Sequence, residues 1–371
     1  MKSKLKRDRP GENKEERTLF GIYERKIEQK RPSAEDPSIR RFNPDTSAKL
    51  LLHKKGLIDW RRDDSGKREV ALNDILNKII CGDAVKVLAK FPTKSVDCVI
   101  TSPPYWSMID YGLSGQYGQC SYENYLDQLL TVWKECGRIL KSNGKLCINT
   151  PIMPISKRVM ASQHTRHLKN LNNDIERTIL EHVPEMNRYS LYIWQKQTTE
   201  KMFGSYPYPP NLYEQNTIEF INILVKDGPP EKLPSWVKEA SKLNEKEWMN
   251  LTKQIWNIYP EDIRRDVHPA PFPKAIPNRL IAMFTFRNCS AEEGDFKGGI
   301  VLDPFCGVGA TCIAAKELGR NYIGIDLVGD FCIEAAKRLE VTLPSGKICL
   351  VDSNAKIKGK DERVNTLYLF Q

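Results

Sequence analysis

No stretch of this chain approaches the roughly 18 consecutive apolar residues that a membrane-spanning helix needs, although hydrophobic residues make up 40% of it. The opening segment, MKSKLKRDRPGENKEER, is charged throughout and lacks the apolar centre of a signal peptide. A soluble, intracellular protein is expected, with no membrane contact. Histidine is scarce, with 5 in 371 residues. None of the 10 cysteines forms a CxxC pair or stands at ligand spacing from a histidine. Several lie in apolar runs instead, such as Cys98 in VDCVI and Cys147 in KLCIN. Buried reduced thiols are therefore expected, and no metal site.

What the chain has in excess is positive charge, a formal +10 that favours a polyanionic partner. The excess is uneven: residues 1–70 hold 20 Lys/Arg against 13 Asp/Glu, a surplus of +7. This segment reads either as a solvated tail or as an arm lying along nucleic-acid phosphates.

Beyond it, short apolar runs alternate with segments of helical period, the pattern of a layered α/β domain. Strands are expected at Lys78–Cys81, Val96–Thr101, Lys145–Asn149, Ser190–Trp194, Ile218–Val225, Ile300–Asp303 and Tyr322–Asp326. Helices are expected at Ala84–Lys90, Tyr122–Leu140, Thr311–Leu318 and Asp330–Leu339. The second places Tyr125, Leu129, Val132, Trp133, Cys136 and Leu140 on one face. Two stretches interrupt the alternation. Residues 151–188 carry 6 basic and 4 acidic side chains with three histidines. Residues 226–267 are balanced at 8 and 8 and contain a helix-like run, LNEKEWMNLTKQIWNIY.

Residues 300–326 read IVLDPFCGVGATCIAAKELGRNYIGID. An apolar run ends at Asp303, a glycine turn follows, a helix opens near Thr311 and a second run ends at Asp326. Gly307 and Gly309 let the backbone approach a ligand, and the helix start offers free N–H groups. Asp326 is placed to accept hydrogen bonds from ribose hydroxyls. A tight strand-to-helix turn is the plainer reading of the same residues. Cys312 stands where a dinucleotide fingerprint would want a third glycine.

The run VDCVITSPPYW delivers Ser102, Pro103, Pro104 and Tyr105 at the end of a strand. A strand-ending turn would account for such a tetrapeptide, but so would a demanding piece of chemistry. An exocyclic amino nitrogen is a weak nucleophile because its lone pair is delocalised into the ring. Acceptors that bind both amino protons localise that pair. The Ser102 hydroxyl and the Pro103 carbonyl can do this, and a proline offers no competing N–H. Two prolines stiffen the loop, and Tyr105 offers a flat face to an extruded base.

The SPPY tetrapeptide and the DPFCGVGAT string together resemble the S/D/N-PP-Y/F and DPFxGxGT motifs of S-adenosylmethionine-dependent DNA amino-methyltransferases. Ala310 departs from the Thr or Ser common there. The form TSPPY resembles the branch acting on N4 of cytosine, whereas DPPY is commoner among N6-adenine enzymes and Asn-first forms among RNA- and protein-modifying relatives. Ring-carbon methylation of cytosine would need a Pro-Cys nucleophile, and no cysteine here follows a proline. The catalytic motif precedes the cofactor loop by about 200 residues, which resembles the β class, a circular permutation of the common fold.

The resemblance covers about residues 75–340 and implies a seven-stranded Rossmann-like α/β sheet in the order 3-2-1-4-5-7-6. The seventh strand is antiparallel, helices lie on both faces and a small recognition region is inserted. The chain then divides into a basic arm (1–74), a catalytic half (75–225, with 151–188 a basic insertion), a target-recognition region (226–267), a cofactor half (268–340) and a C-terminal extension (341–371). The implied cofactor is S-adenosyl-L-methionine, held by Asp83, Thr101, His268, Pro269, Phe272, Asp303, Pro304, Phe305, Gly307, Gly309, Thr311 and Asp326. The flipped base would meet Trp106, Phe203, Tyr206 and Tyr208. The backbone of double-stranded DNA would meet Lys157, Arg158, Arg166 and Lys169. A prokaryotic-type, nucleoid-associated enzyme of a restriction-modification type system follows, with a cognate endonuclease acting separately. Adenine N6 remains an alternative target, and a catalytically silent nucleic-acid-binding relative a second alternative.

Overall fold

The computed structural model describes residues 56–61, 69–106, 108–110, 113, 115–155, 167–196, 207–259 and 273–344, together with the backbone of Arg40–Arg41. In chain order the main elements are β1 (Leu57–Asp59), β2 (Lys78–Cys81), α1 (Ala84–Leu88), β3 (Val96–Thr101), α2 (Tyr122–Ile139), β4 (Leu140–Thr150), α3 (Leu171–His182), β5 (Met186–Lys196) and β6 (Ile218–Lys226). They continue with α4 (Ser235–Ala240), α5 (Glu245–Leu251), β7 (Ile255–Ile258), α6 (Ala275–Phe284), β8 (Ile300–Asp303), α7 (Ala310–Glu317), β9 (Asn321–Asp326) and α8 (Gly329–Val341). One nine-stranded sheet runs in the order β7-β5-β6-β4-β3-β8-β9-β2-β1. Every neighbouring pair is parallel except those made by β6, which is antiparallel to both β4 and β5.

The central strands KIIC, VDCVIT and IVLD are almost entirely buried, as expected of parallel strands covered on both faces. Alternate residues serve opposite cores. Ile80, Val99, Leu146 and Leu302 pack with α1, α2 and α3. Ile79, Cys98, Ile100, Cys147 and Val301 pack with α6, α7 and α8. On α2 the expected face is buried, from Tyr125 to Cys136, and Ser121 caps the helix by accepting from the Asn124 N–H. Gly324 in β9 has a packing reason. A Cβ there would lie 2.7 Å from Ile79 Cδ1 and 2.8 Å from Cys312 Sγ, so helix α7 can approach the sheet only over a glycine.

The seven anticipated strands are all present, but the sheet has two more, both short and both at its edges. β1 lies in the segment read as arm and pairs with β2 through Leu57 and Ile79. β7 replaces the end of the expected helix in 226–267. That helix stops at Leu251, and Trp256 and Ile258 are then buried alternately against β5, a period of two. Part of 151–188, the stretch read as a basic insertion, belongs to the core. Asn170 caps α3, whose Leu171, Ile175 and Ile179 enter the core with the spacing i, i+4, i+8. Ile152–Ile155 pairs antiparallel with His167–Asn170, and Met153 and Ile155 are buried in the same core. No helix among the described residues is long and apolar enough to cross a membrane.

A buried ammonium ties β6 to α2. Lys226, 8% exposed, donates to the carbonyls of Gly137 at 2.6 Å and Leu140 at 2.9 Å. It thereby satisfies the unpaired end of the helix with positive charge. Lys226→Met keeps the stem but orphans these carbonyls. It should lower the free energy of unfolding by about 2 kcal/mol. Urea denaturation of the two proteins measures this, and a difference near zero would show that water replaces the ammonium.

Candidate active site

The order of the sheet reverses between β3 and β8, and a ligand crevice in such folds lies at the carboxyl ends of these strands. Both motifs lie there. From the end of β3 the chain enters Ser102-Pro103-Pro104-Tyr105, and Pro104 is anchored by the Tyr125 hydroxyl, which donates to its carbonyl at 2.7 Å. Ser102 Oγ lies 2.8 Å from the Tyr105 hydroxyl and 3.3 Å from the Asn149 carbonyl. Tyr105 donates to Glu219 Oε2 at 3.1 Å. Asn149 Nδ2 donates to the same carboxylate oxygen at 2.6 Å and to the Tyr105 oxygen at 3.3 Å. Lys196 Nζ holds the other oxygen, Oε1, at 3.0 Å. Burial, with the Glu219 charge second, pushes the Tyr105 phenol well above its usual range, so it stays protonated. The amide oxygen Oδ1 of Asn149 is buried beside this cluster with no partner among the described residues, an acceptor able to take a donor.

One residue before Ser102, the Thr101 hydroxyl donates to Asp303 Oδ1 at 2.7 Å. Thr311, in the first turn of α7, donates to Oδ2 of the same carboxylate at 2.7 Å, and the Phe305 N–H donates to Oδ1 at 3.1 Å. Asp303 thus joins the end of β3, the glycine turn and the start of α7. Its burial raises its pKa to about 6, against the opposing pull of these hydrogen bonds.

The turn itself needs its glycines. Gly307 has φ +50° and Gly309 φ +84°, the left-handed region, and Gly309 opens α7. A Cβ on Gly309 would stand 3.0 Å from the Ala335 Cβ of α8. Asp326 at the end of β9 accepts from the Gly307 N–H at 2.8 Å and the Val328 N–H at 2.9 Å. Burial brings it, too, up to about 6. Each of its oxygens carries one of these bonds, which leaves lone pairs for a ligand. Asp83 caps α1 by accepting from the Lys86 N–H at 3.0 Å. Its charge is felt by Tyr117, whose phenol is pushed up chiefly by burial. Tyr117 meets Phe305 edge to face at 5.5 Å, and Leu113 packs on Val308, Val328 and Phe331. The segment around 113–117 therefore closes over the glycine turn.

Sequence reasoning brings Ser102, Pro103, Pro104, Tyr105, Thr101, Asp303, Pro304, Phe305, Gly307, Gly309, Thr311, Asp326 and Asp83 towards one crevice, and the structure gathers them at one end of the sheet. Trp106 is elsewhere. It is 1% exposed, donates its indole N–H to the Cys120 carbonyl at 2.8 Å and packs edge-on to Tyr122. It supports the motif from within the core and presents no face to a base. Tyr208 is strongly exposed at 74%. Lys169 Nζ sits 4.3 Å over the Tyr122 ring, engaged with the protein by a cation–π contact. His268, Pro269, Phe272, Phe203, Tyr206, Lys157, Arg158 and Arg166 lie outside the described residues. The sequence reading misses Asn149, Glu219, Lys196 and Tyr117. Glu219 carries a signal: an acidic residue in the largely apolar strand IEFINILVK, where a buried charge demands a partner.

The sequence profile of the DNA methylase family, N6/N4 type, matches residues 96–337. The Type II methyltransferase M.MjaI of Methanocaldococcus jannaschii is 30% identical over 284 residues, covering 68% of this chain and 87% of that protein. The Type II methyltransferase M.SmaI of Serratia marcescens is 27% identical over 288 residues, covering 71% and 90%. Among solved structures, a protein from Thermus thermophilus described as a putative DNA modification methylase, in complex with S-adenosyl-L-methionine, superposes with a TM-score of 0.57. It is 31% identical over 72% of this chain and 94% of its own. The PvuII cytosine-N4-specific DNA methyltransferase shares the fold at a TM-score of 0.53 and 16% identity, over 75% and 88% of the two chains.

The elevated pKa of Asp303 has a measurable sign. Its folded value, about 6, lies above the ordinary carboxylate value of about 3.9. The folded state therefore takes up a proton between these values, and this group favours folding more as pH falls from 7 towards 5. Relative to Asp303→Asn, the wild type should gain about 1 kcal/mol of stability between pH 7 and pH 5. Urea unfolding at the two pH values tests this. Parallel pH dependence in the two proteins would return Asp303 to an ordinary carboxylate.

Proposed function

Because the chain belongs to the N6/N4 DNA methylase family, we propose that it methylates N4 of cytosine in a specific duplex DNA sequence, using S-adenosyl-L-methionine and turning the target base out of the helix. The observation that carries this reading is the acceptor cluster at the end of β3. Ser102 is held by Tyr105 and Asn149 and joined through Thr101 to the Asp303 bridge, so the acceptors for an amino group and the glycine turn are fixed in one frame. Adenine N6 would offer the same pair of protons, and the Ser-first motif is what favours cytosine. The Type II methyltransferases among the relatives support a restriction-modification role.

S-adenosyl-L-methionine supplies an electrophilic methyl group on a sulfonium. The residues present fit such a ligand: a positive-φ glycine turn, an aspartate at the end of β9 with acceptor capacity left over and an aromatic pair beside Asp83. Asp326 accepts the ribose hydroxyls, while Asp83, Tyr117 and Phe305 border the adenine. Thr101, Pro304 and Thr311 shape the crevice through Asp303. His268, Pro269 and Phe272 would hold the methionine end. Ser102 and the Pro103 carbonyl would accept hydrogen bonds from the two amino N–H groups, which would localise the nitrogen lone pair towards the methyl group. Tyr105 would stack on the base, with Phe203, Tyr206 and the exposed Tyr208 as further stacking partners. Residues 226–267 read bases.

Ser102→Ala should leave cofactor affinity nearly intact and lower turnover about a hundred- to thousandfold, the cost of one preorganised acceptor. Transfer of labelled methyl to DNA measures the rate, and digestion of the product to nucleosides names the base. A near-normal rate removes Ser102 from the mechanism, and N6-methyladenine in the digest transfers the assignment to adenine.

The DNA backbone is held by Lys157, Arg158 and Arg166, with a smaller share from Lys169 because Tyr122 already engages it. Replacing the first three together should weaken binding equally on cognate and scrambled duplexes and reduce the salt slope of log K by about 2–3. A loss confined to the cognate duplex would make 151–188 the sequence reader instead.

A further inference from the structure

Glu219 and Lys196 form an ion pair for which the fold has no evident need. Glu219 is 8% exposed, and its Oε1 is held by Lys196 Nζ at 3.0 Å. Its Oε2 receives two donors that both belong to the catalytic cluster, Tyr105 and Asn149. A carboxylate can only accept, and the Asn149 amide nitrogen can only donate. These two facts settle the direction of every hydrogen bond around Tyr105. Its single proton goes to Glu219, because Asn149 Nδ2 approaches its oxygen as a donor from 3.3 Å. In the 2.8 Å contact with Ser102, Tyr105 is then the acceptor and Ser102 the donor. The other neighbour of Ser102 Oγ, the Asn149 carbonyl at 3.3 Å, is also an acceptor. The Ser102 proton is committed inside the protein whichever of the two it meets, and its oxygen keeps lone pairs with which to accept.

We propose that Glu219 is a positioning residue for methyl transfer: it sets the sense of the chain Ser102–Tyr105–Glu219, so that Ser102 meets the target amino group as an acceptor and never as a donor. The proposal rests on the reading of Ser102 as the amino-proton acceptor. Lys196 pairs with the oxygen that the chain does not use. The high pKa of Tyr105 agrees, because the chain needs the phenol to keep its proton. Hydrogen bonds aligned in one sense also polarise one another, which strengthens Ser102 as an acceptor. In Glu219→Gln the amide nitrogen can turn towards Tyr105, whose proton then swings to Ser102. The Ser102 proton loses its shorter acceptor and is left to divide between the longer contact to the Asn149 carbonyl and the incoming amino group, where it would meet donor against donor.

The test compares four full-length proteins: wild type, Glu219→Gln, Tyr105→Phe and the double variant. Single-turnover transfer of labelled methyl from S-adenosyl-L-methionine to unmodified genomic DNA gives the rate, and calorimetry gives cofactor affinity. Glu219→Gln should be about ten- to hundredfold slower with cofactor affinity within about twofold of wild type. Tyr105→Phe should lose a comparable factor. In the Tyr105→Phe background Glu219→Gln should cost less than about threefold more, since Glu219 acts only through the phenol. A role confined to bracing Asn149 and Lys196 would leave its full cost in that background, and that result overturns the proposal. So does a Glu219→Gln rate close to that of the wild type. If Glu219→Gln fails to fold, Tyr105→Phe alone decides, because a near-normal rate without the hydroxyl leaves no chain to orient. A wild-type protein that methylates no DNA would instead overturn the assigned function, which the control lane reports separately.

Discussion

The Asp303 carboxylate is the joint on which the site depends. It is buried at the reversal point of the sheet and draws together the last residue of β3, the glycine turn and the first turn of α7. Strand β3 lies some 200 residues before the other two in sequence, yet three hydrogen bonds to one side chain hold all of them in register. Burial alone would push this group towards neutrality, and the hydrogen bonds oppose it. A group so placed transmits error: a shift of Thr101 displaces Ser102, and a shift of Thr311 displaces the helix start beside Gly309. The proposed acceptors for a base and the proposed cradle for a cofactor are thereby set by the same few atoms.

Around this joint the molecule divides the work between backbone and side chains. On the glycine-turn side, backbone N–H groups are consumed by Asp326, so the turn is rigid before any ligand arrives. On the β3 side, side chains do the positioning, in the sequence Tyr125 to Pro104, Tyr105 to Glu219 and Lys196 to Glu219. Both sides are preorganised, which is what stabilising charge development in a transition state requires. Trp106 belongs to the second arrangement as a foundation, with its indole N–H satisfied below the loop.

The central sheet was legible in the sequence because buried parallel strands are nearly continuous apolar runs. KIIC, VDCVIT and IVLD announce both their type and their burial. The two motifs were legible because their chemistry restricts residue type at nearly every position. Edges were not: Leu57–Asp59 and Ile255–Ile258 are short, and a short apolar segment does not by itself separate strand from helix. Helix α3 had its signal in Leu171, Ile175 and Ile179, but the surrounding polar residues masked it. Asn149, Glu219 and Lys196 were hidden for a different reason. Each lies on a separate strand, and only pairing across β4, β6 and β5 makes them neighbours.

The single reversed strand, β6, has a consequence for what kind of residue can reach the site. Parallel strands deliver only their carboxyl ends to this rim, and the loops that follow them. A strand running the other way begins there, with Phe220 opposite Thr150, the last residue of β4. Glu219 is therefore an entry residue among exits, fixed by the ladder of the sheet, where a loop side chain would have to be ordered separately. One inverted element gives the rim a carboxylate with the stiffness of the sheet itself, and its charge is partnered from the adjacent strand at the end of that strand's own run. Any homologous sheet with this reversal has the same seat available, whatever side chain occupies it.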